Sequence, residues 1–241
     1  ELAYAFRQAG ADSADRVHVS DLIAGPGTLD GYDILAFPGG FSFGDHLGSG
    51  LVLAGIVRKN LSSAITRFIR NGKPVIGVCN GFQVLVKSGL LPDIGGKGTP
   101  EVSLIHNASG KFTDRWVSVS FDPESPCVWT RGLASMELPV RHGEGRFIAP
   151  EETLDLLERE HLAVIRYVGE SPNGAERNIA GITDRTGLIL GLMPHPEAAI
   201  FPHNLPRWQR GGAAGPFGTA ILKNGVDRAR ERKGRETEYW R

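Results

Sequence analysis

The chain has 241 residues, 41% of them hydrophobic and 22% charged, enough apolar side chains for one sizeable core. Basic and acidic residues number 27 each, so no net charge draws the protein to nucleic acid or to an anionic membrane, and a small-molecule or protein partner fits better. Two cysteines are too few for a disulfide framework and fit a reducing cytoplasm; residues 1 onward do not show the basic-then-apolar layout of a signal peptide, and no apolar run approaches the roughly 20 residues needed to span a bilayer.

Residues 2–9 read as the body of a helix although residue 1 is Glu, so the sequence is expected to start inside a longer natural chain. In a doubly wound sheet the strand before such a helix is internal, and its neighbours' N–H and C=O groups need it as a partner. A strand and loop of about 15–25 further residues are therefore expected ahead of residue 1. Residues 17–19 form a strand candidate, and residues 32–37 a second that ends at Pro38-Gly-Gly40. Leu61, Ala64, Ile65, Phe68 and Ile69 repeat at the spacing of one buried helical face, which Gly72 closes. Pro74-Val-Ile-Gly-Val78 suits a fully buried parallel strand, and residues 80–88 read as the next helix, stopped at Gly89.

This helix–strand–helix alternation predicts an α/β fold, a flavodoxin-like open and mostly parallel sheet with helices on both faces. The second half changes character. Residues 116–121, 136–141, 162–168, 179–183 and 188–193 predict additional antiparallel strands, with a short helix at 153–159 and a hairpin turn at Arg185-Thr-Gly187. Residues 201–216, which contain Gly and Pro but no periodicity, predict a long loop. One domain over residues 1–226 is then followed by a charged tail or solvated helix end over 227–241.

Gly77-Val-Cys79-Asn-Gly81 lies between a predicted strand and a predicted helix, the setting of a nucleophile elbow. Small residues two before and two after let the backbone turn sharply, and the following helix N-terminus favours a thiolate. A free cysteine at a strand end is ordinarily a small buried hydrophobe, and the flanking glycines argue against that here. Cys127 has no such context and keeps the plainer reading.

A thiolate nucleophile needs a base and a group that orients the base. Of seven histidines, His195 in Met193-Pro-His-Pro-Glu197 fits best, because the prolines hold the chain extended and send His195 and Glu197 to one side. His142-Gly-Glu144-Gly145 offers a second His and Glu two apart, in a loop flexible enough to approach a ligand. His18, His46, His106, His161 and His203 have no acidic or cysteine neighbours at metal-ligand spacing, so they read as solvated or core residues and no metal site is indicated.

The tetrahedral intermediate of such a hydrolysis needs oxyanion donors. The N–H of Asn80, just after the nucleophile, is one candidate, and Gly40 in Pro38-Gly-Gly-Phe-Ser-Phe-Gly-Asp45 is the other. A phosphate-cradling reading of this loop is weak, since it has neither a Gly-Lys-Ser/Thr ending nor the third glycine of a dinucleotide fingerprint after Gly48-Ser-Gly50.

With these strings together, the sequence resembles the class I, or triad, glutamine amidotransferases. It is closer still to one branch, the glutaminase subunits of phosphoribosylformylglycinamidine synthases, through the Pro38–Asp45 string, His142-Gly-Glu-Gly145, Asn173-Gly174, Ile179-Ala-Gly-Ile182 and the Met193–Glu197 string. The resemblance covers roughly residues 1–200. It implies that Cys79 attacks the carboxamide of L-glutamine, that His195 moves the proton, that Glu197 orients His195, and that Gln83, His142, Gly143 and Glu144 lie beside the substrate. It implies a synthetase partner that holds ATP and Mg²⁺, no cofactor in this chain, room for a small accessory subunit, and a place in purine biosynthesis. Members of the family begin with a further strand and a glycine-containing loop that this sequence lacks, and Ala198 stands where an Arg is common in this branch. Two rivals share the residue evidence: a γ-glutamyl hydrolase or cysteine peptidase on the same sheet, and a catalytically silent subunit.

Overall fold

The computed structural model describes residues 1–44, 47–210 and 217–239. Asp45 and His46, part of the glycine-rich string, and the last six residues of the 201–216 loop fall outside them. In chain order the helices are α1 (Leu2–Gln8), α2 (Val19–Ala24), α3 (Leu51–Ile56), α4 (Ser62–Arg70), α5 (Asn80–Lys87), α6 (Glu151–Arg159) and α7 (Thr219–Tyr239). The strands are β1 (Leu35–Phe37), β2 (Val75–Val78), β3 (Ser103–Ile105), β4 (Thr113–Phe121), β5 (Ser135–His142), β6 (Arg146–Ile148), β7 (Ile165–Tyr167), β8 (Ile179–Thr183) and β9 (Ile189–Leu192).

Seven strands form one mixed sheet in the order β1-β2-β9-β8-β7-β4-β5. The β1-β2-β9 portion is parallel, and every later pairing, β9-β8, β8-β7, β7-β4 and β4-β5, is antiparallel. The sequence pattern explains the division. All four residues of β2 and of β9 are buried, as strands covered on both faces must be, whereas β4 buries only Val119 and Phe121. The hairpin between β8 and β9 turns at residues 185–187, where Gly187 takes φ +70° and donates to the Asp184 carbonyl at 2.9 Å.

Three glycines let α5 sink into the parallel strands. Gly77 on β2 pairs in register with Gly191 on β9. A Cβ on Gly77 would stand 2.6 Å from the Gly81 carbonyl oxygen, one on Gly191 2.1 Å from the Phe82 ring, and one on Gly81 2.0 Å from the Phe37 carbonyl oxygen. The helix that follows Cys79 is therefore pressed against β1, β2 and β9, with its Phe82 and Leu85 side chains seated over Gly191 and Gly77.

The structure corrects one expected element. Residues 17–19 are not a strand: Val19 begins α2, and His18 caps it, its Nδ1 receiving the Ser20 N–H at 3.3 Å. Val17 is exposed and no strand among the described residues pairs with it, so three residues of β-favouring sequence do not join the sheet. The face at Ala64, Ile65 and Phe68 is buried as its spacing predicts, and the helical path starts earlier, through α3 and a π-helical turn at Val57–Leu61. The short antiparallel pair β3–β6 has no sequence signature of its own. Two 3-10 turns, Pro202–Asn204 and Trp208–Arg210, interrupt the expected 201–216 loop. The charged stretch after Asp227 continues α7, which buries Ile221, Leu222, Val226 and Ala229 and pairs Arg232 with Asp33 at 2.9 Å.

The glycine packing yields a paired test. Gly81→Ala forces a methyl group onto the Phe37 backbone and is expected to cost about 3 kcal/mol or more. Gly55→Ala, on the exposed side of α3 with nothing within 4 Å, is expected to add roughly 0.5–1 kcal/mol. Urea unfolding of both variants would refute this account if their midpoints matched.

Candidate active site

Cys79 joins β2 to α5 with φ +50° and ψ −104°, a conformation that non-glycine residues rarely hold outside functional turns. Its N–H donates to the Leu192 carbonyl at 2.8 Å, which fixes the turn to the end of β9, and its Sγ lies 3.7 Å from the Arg141 carbonyl oxygen. The α5 N-terminus begins at the next residue, so unpaired backbone N–H groups gather beside the sulfur.

Strand β9 also leads into His195. The His195 N–H donates to the Pro139 carbonyl at 2.8 Å, and Pro196 starts the 3-10 turn Pro196–Ala198 that swings Glu197 back. His195 Nδ1 and Glu197 Oε1 are 2.7 Å apart and both side chains are buried. A carboxylate only accepts, so Nδ1 carries a proton and Nε2 is left toward the thiol. Burial by itself would lower the pKa of His195. The neighbouring Cys79 and Glu197 outweigh it and raise it to about 10. Nε2 closes no hydrogen bond in this resting geometry, as is common before substrate binds.

Gly40, at φ +135°, lines the same cavity as Cys79, and Asn80 follows Cys79 as the first residue of α5. Sequence reasoning passed over Gly39. A Cβ there would stand 2.8 Å from His195 Cε1 and 3.5 Å from Cys79 Cβ, so the loop lies flat against both side chains. Ser42 Oγ donates to Asn80 Oδ1 at 2.7 Å and Asn80 Nδ2 donates to Gln83 Oε1 at 3.2 Å, tying this loop to α5.

These groups surround a cavity of about 320 Å³, at the small end of the roughly 300–1,000 Å³ range of ligand pockets. Of the residues singled out in the sequence, Cys79, His195, Glu197, Gly40, Gln83, His142, Gly143 and Glu144 line it, and Asn80 does not. Gln83 Nε2 donates to the Glu144 carbonyl and the Ser49 N–H to Glu144 Oε2, so the 142–145 turn is joined to both α5 and the glycine-rich loop. His142 is buried, with Nδ1 3.0 Å from Asn107 Oδ1 and Nε2 3.5 Å from Asn173 Nδ2. Burial first, and the charge of His195 second, lower its pKa to about 4.

His46 lies outside the described residues, and His18, His106, His161 and His203 do not line this cavity. His106 is exposed and lies 3.6 Å from Glu144, and His161 pairs at the surface with Asp122 at 2.9 Å and Glu124 at 3.1 Å. Their acidic partners are distant in sequence. No group of three or more metal-ligating side chains occurs among the described residues.

A profile of the CobB/CobQ-like glutamine amidotransferase domain matches residues 1–227. The chain is 40% identical to phosphoribosylformylglycinamidine synthase subunit PurQ of Dehalococcoides mccartyi, over 96% of this chain and 92% of that protein. It is 42% identical to the same-named subunit of Methanococcus maripaludis, over 87% and 80%. Among solved structures it resembles a chain of PurLQS from Thermotoga maritima, with a TM-score of 0.63 at 29% identity, covering 82% of this chain and 80% of that one.

Two measurements follow from the geometry. Iodoacetamide is expected to label Cys79 and spare Cys127, whose burial raises its thiol pKa and keeps it protonated. Peptide mass spectrometry showing labelled Cys127 in the folded protein would contradict this. His142 binds a proton less readily folded than unfolded, so its contribution to stability is full above pH 6.5 and is lost as pH falls toward 4. Over that window the wild type should lose up to about 3 kcal/mol more than a His142→Gln variant in urea unfolding. Parallel curves for the two proteins would refute the assignment.

Proposed function

The chain belongs to the CobB/CobQ-like glutamine amidotransferase family, and on that footing we propose that it is the glutaminase subunit of a phosphoribosylformylglycinamidine synthase in purine biosynthesis. It hydrolyses L-glutamine to glutamate and ammonia, and the ammonia goes to a synthetase subunit that converts formylglycinamide ribonucleotide to formylglycinamidine ribonucleotide. The observation that carries the chemistry is Cys79 on its strained turn in the cavity wall, beside a His195 held by Glu197. The PurQ relatives and the PurLQS neighbour support the substrate and the partner.

The steps use this chain's own groups. The Cys79 thiolate adds to the carboxamide carbon, and the carbonyl electrons move onto oxygen, where the N–H groups of Gly40 and Asn80 would receive the charge. Collapse of the adduct expels ammonia, with the proton on His195 Nε2 transferred to the departing nitrogen. His195, now a base, takes a proton from water as its oxygen attacks the thioester. The second adduct releases glutamate and restores the thiolate. Glu197 keeps the ring in the tautomer and orientation both transfers require, accepting from Nδ1 throughout.

ATP and Mg²⁺ are assigned to the synthetase subunit, a small accessory subunit belongs to the same proposal, and no nucleic acid or membrane takes part. The described residues contain no helix long and apolar enough to cross a membrane, and the proposed place of work is the cytoplasm. No observation favours a γ-glutamyl hydrolase or a peptidase, and the complete Cys79–His195–Glu197 set argues against a silent subunit.

Cys79→Ala and His195→Ala are each expected to lower glutamine-dependent product formation by the reconstituted synthase at least roughly a thousandfold. Ammonia-dependent formation should be unchanged, and Cys127→Ala should be silent. Near-normal glutamine turnover by the Cys79 variant would sink the reading.

A further inference from the structure

We propose that Asn107 and Asn173 are positioning residues for the glutaminase reaction: two buried carboxamides that hold His142 as the neutral Nδ1–H tautomer and set the 142–145 turn against the cavity. The substrate named here rests on the glutaminase reading above; the clamp itself rests on hydrogen-bond geometry alone.

The orientation of each amide is forced by groups with only one role. Asn107 Nδ2 donates to the carbonyls of Lys111 and His142, at 2.9 and 2.8 Å, and to Thr113 Oγ1 at 3.2 Å. Its Oδ1 receives the Gly145 N–H at 3.1 Å. The oxygen therefore faces His142 Nδ1, which must be the donor. Asn173 Nδ2 donates to the Gly145 carbonyl at 2.7 Å, while its Oδ1 receives the Ala175 N–H at 3.0 Å. The nitrogen therefore faces His142 Nε2, and only a lone pair on Nε2 suits it. A second proton on the ring would bring two donors together in a buried site.

The backbone of the turn is held as firmly. Asn107 N–H donates to the Gly143 carbonyl at 2.9 Å, and Ala108 N–H to the Asn173 carbonyl at 3.0 Å, which ties the two asparagines together. Gly145 has no side chain because a Cβ would stand 2.5 Å from the His142 ring. The N–H groups of Gly143 and Glu144 have no partner among the described residues, and both residues line the cavity. The clamp thus leaves two donors in the cavity wall for an acceptor group on the substrate. His142, although it borders the cavity, acts through the turn and not through a free ring nitrogen.

The first test needs no variant. Nitrogen-15 NMR of the histidines should show His142 neutral and protonated at Nδ1 across about pH 5 to 8. An Nε2–H tautomer, or a midpoint near the ordinary histidine value, would overturn the clamp whether or not the protein turns over glutamine. The second test places Asn107→Asp and Asn173→Asp in the complex with the synthetase. KM for glutamine should rise about tenfold, the equivalent of one or two hydrogen bonds, with kcat within about twofold. Iodoacetamide labelling of Cys79 and ammonia-dependent synthesis should not change. An unchanged KM, or kcat and labelling falling together with it, would overturn the positioning role. If a variant fails to fold, the NMR result decides. If the wild-type complex shows no glutamine turnover, the glutaminase reading falls and the tautomer still judges the clamp.

Discussion

The site depends on how closely α5 approaches the parallel strands. At Gly77, Gly81 and Gly191 no Cβ stands between α5 and the sheet, and a methyl group at any of them would collide with backbone or with a core side chain. That approach forces the chain to reverse within one residue after β2, and the residue at the reversal is Cys79 at φ +50°. The strain at this position is held in place by the packing around it, where Phe82, Val84, Leu85 and Val86 are buried. The same reversal sets the sulfur beside the helix N-terminus and the end of β9. Structure and reactivity at Cys79 thus have one cause.

Two buried imidazoles border the cavity and their surroundings push them in opposite directions. Burial lowers both, but at His195 the Cys79 thiol and the Glu197 carboxylate outweigh it and the pKa rises to about 10, while at His142 burial and the charge of His195 take it down to about 4. A charged His195 and a neutral His142 suit different tasks, one moving protons and the other holding a turn. The charged arrangement carries a cost. Glu197 Oε2 is buried without a partner, an omission worth about 1–3 kcal/mol in an ordinary core. Such omissions are tolerated where a carboxylate must keep one oxygen on a histidine.

The cavity wall is assembled from segments far apart in the chain, and polar side chains join them. Ser42 reaches Asn80, Asn80 reaches Gln83, Gln83 reaches the Glu144 carbonyl, and Glu144 returns to the N–H of Ser49. This circuit encloses the glycine-rich loop, the first turns of α5 and the 142–145 turn. Its members are mostly buried, where hydrogen bonds between satisfied partners fix a single arrangement. Near it, Phe41 and Phe112 line the cavity and remain exposed.

What the sequence determined by itself was local. The glycines around Cys79, the prolines around His195, the spacing of Ala64, Ile65 and Phe68, and the turn before Gly187 each act over a few residues, where steric limits and periodicity leave few choices. Tertiary structure decided the rest. Gly39 is required by a ring 156 positions away, and Asn107 and Asn173 matter only because β5 brings His142 between them. The segment at 17–19 has strand-like composition, yet no strand lies alongside it, so it yields to a capped helix. A hydrogen bond across the chain leaves no mark on the residues beside either partner, and only the fold brings the two ends together.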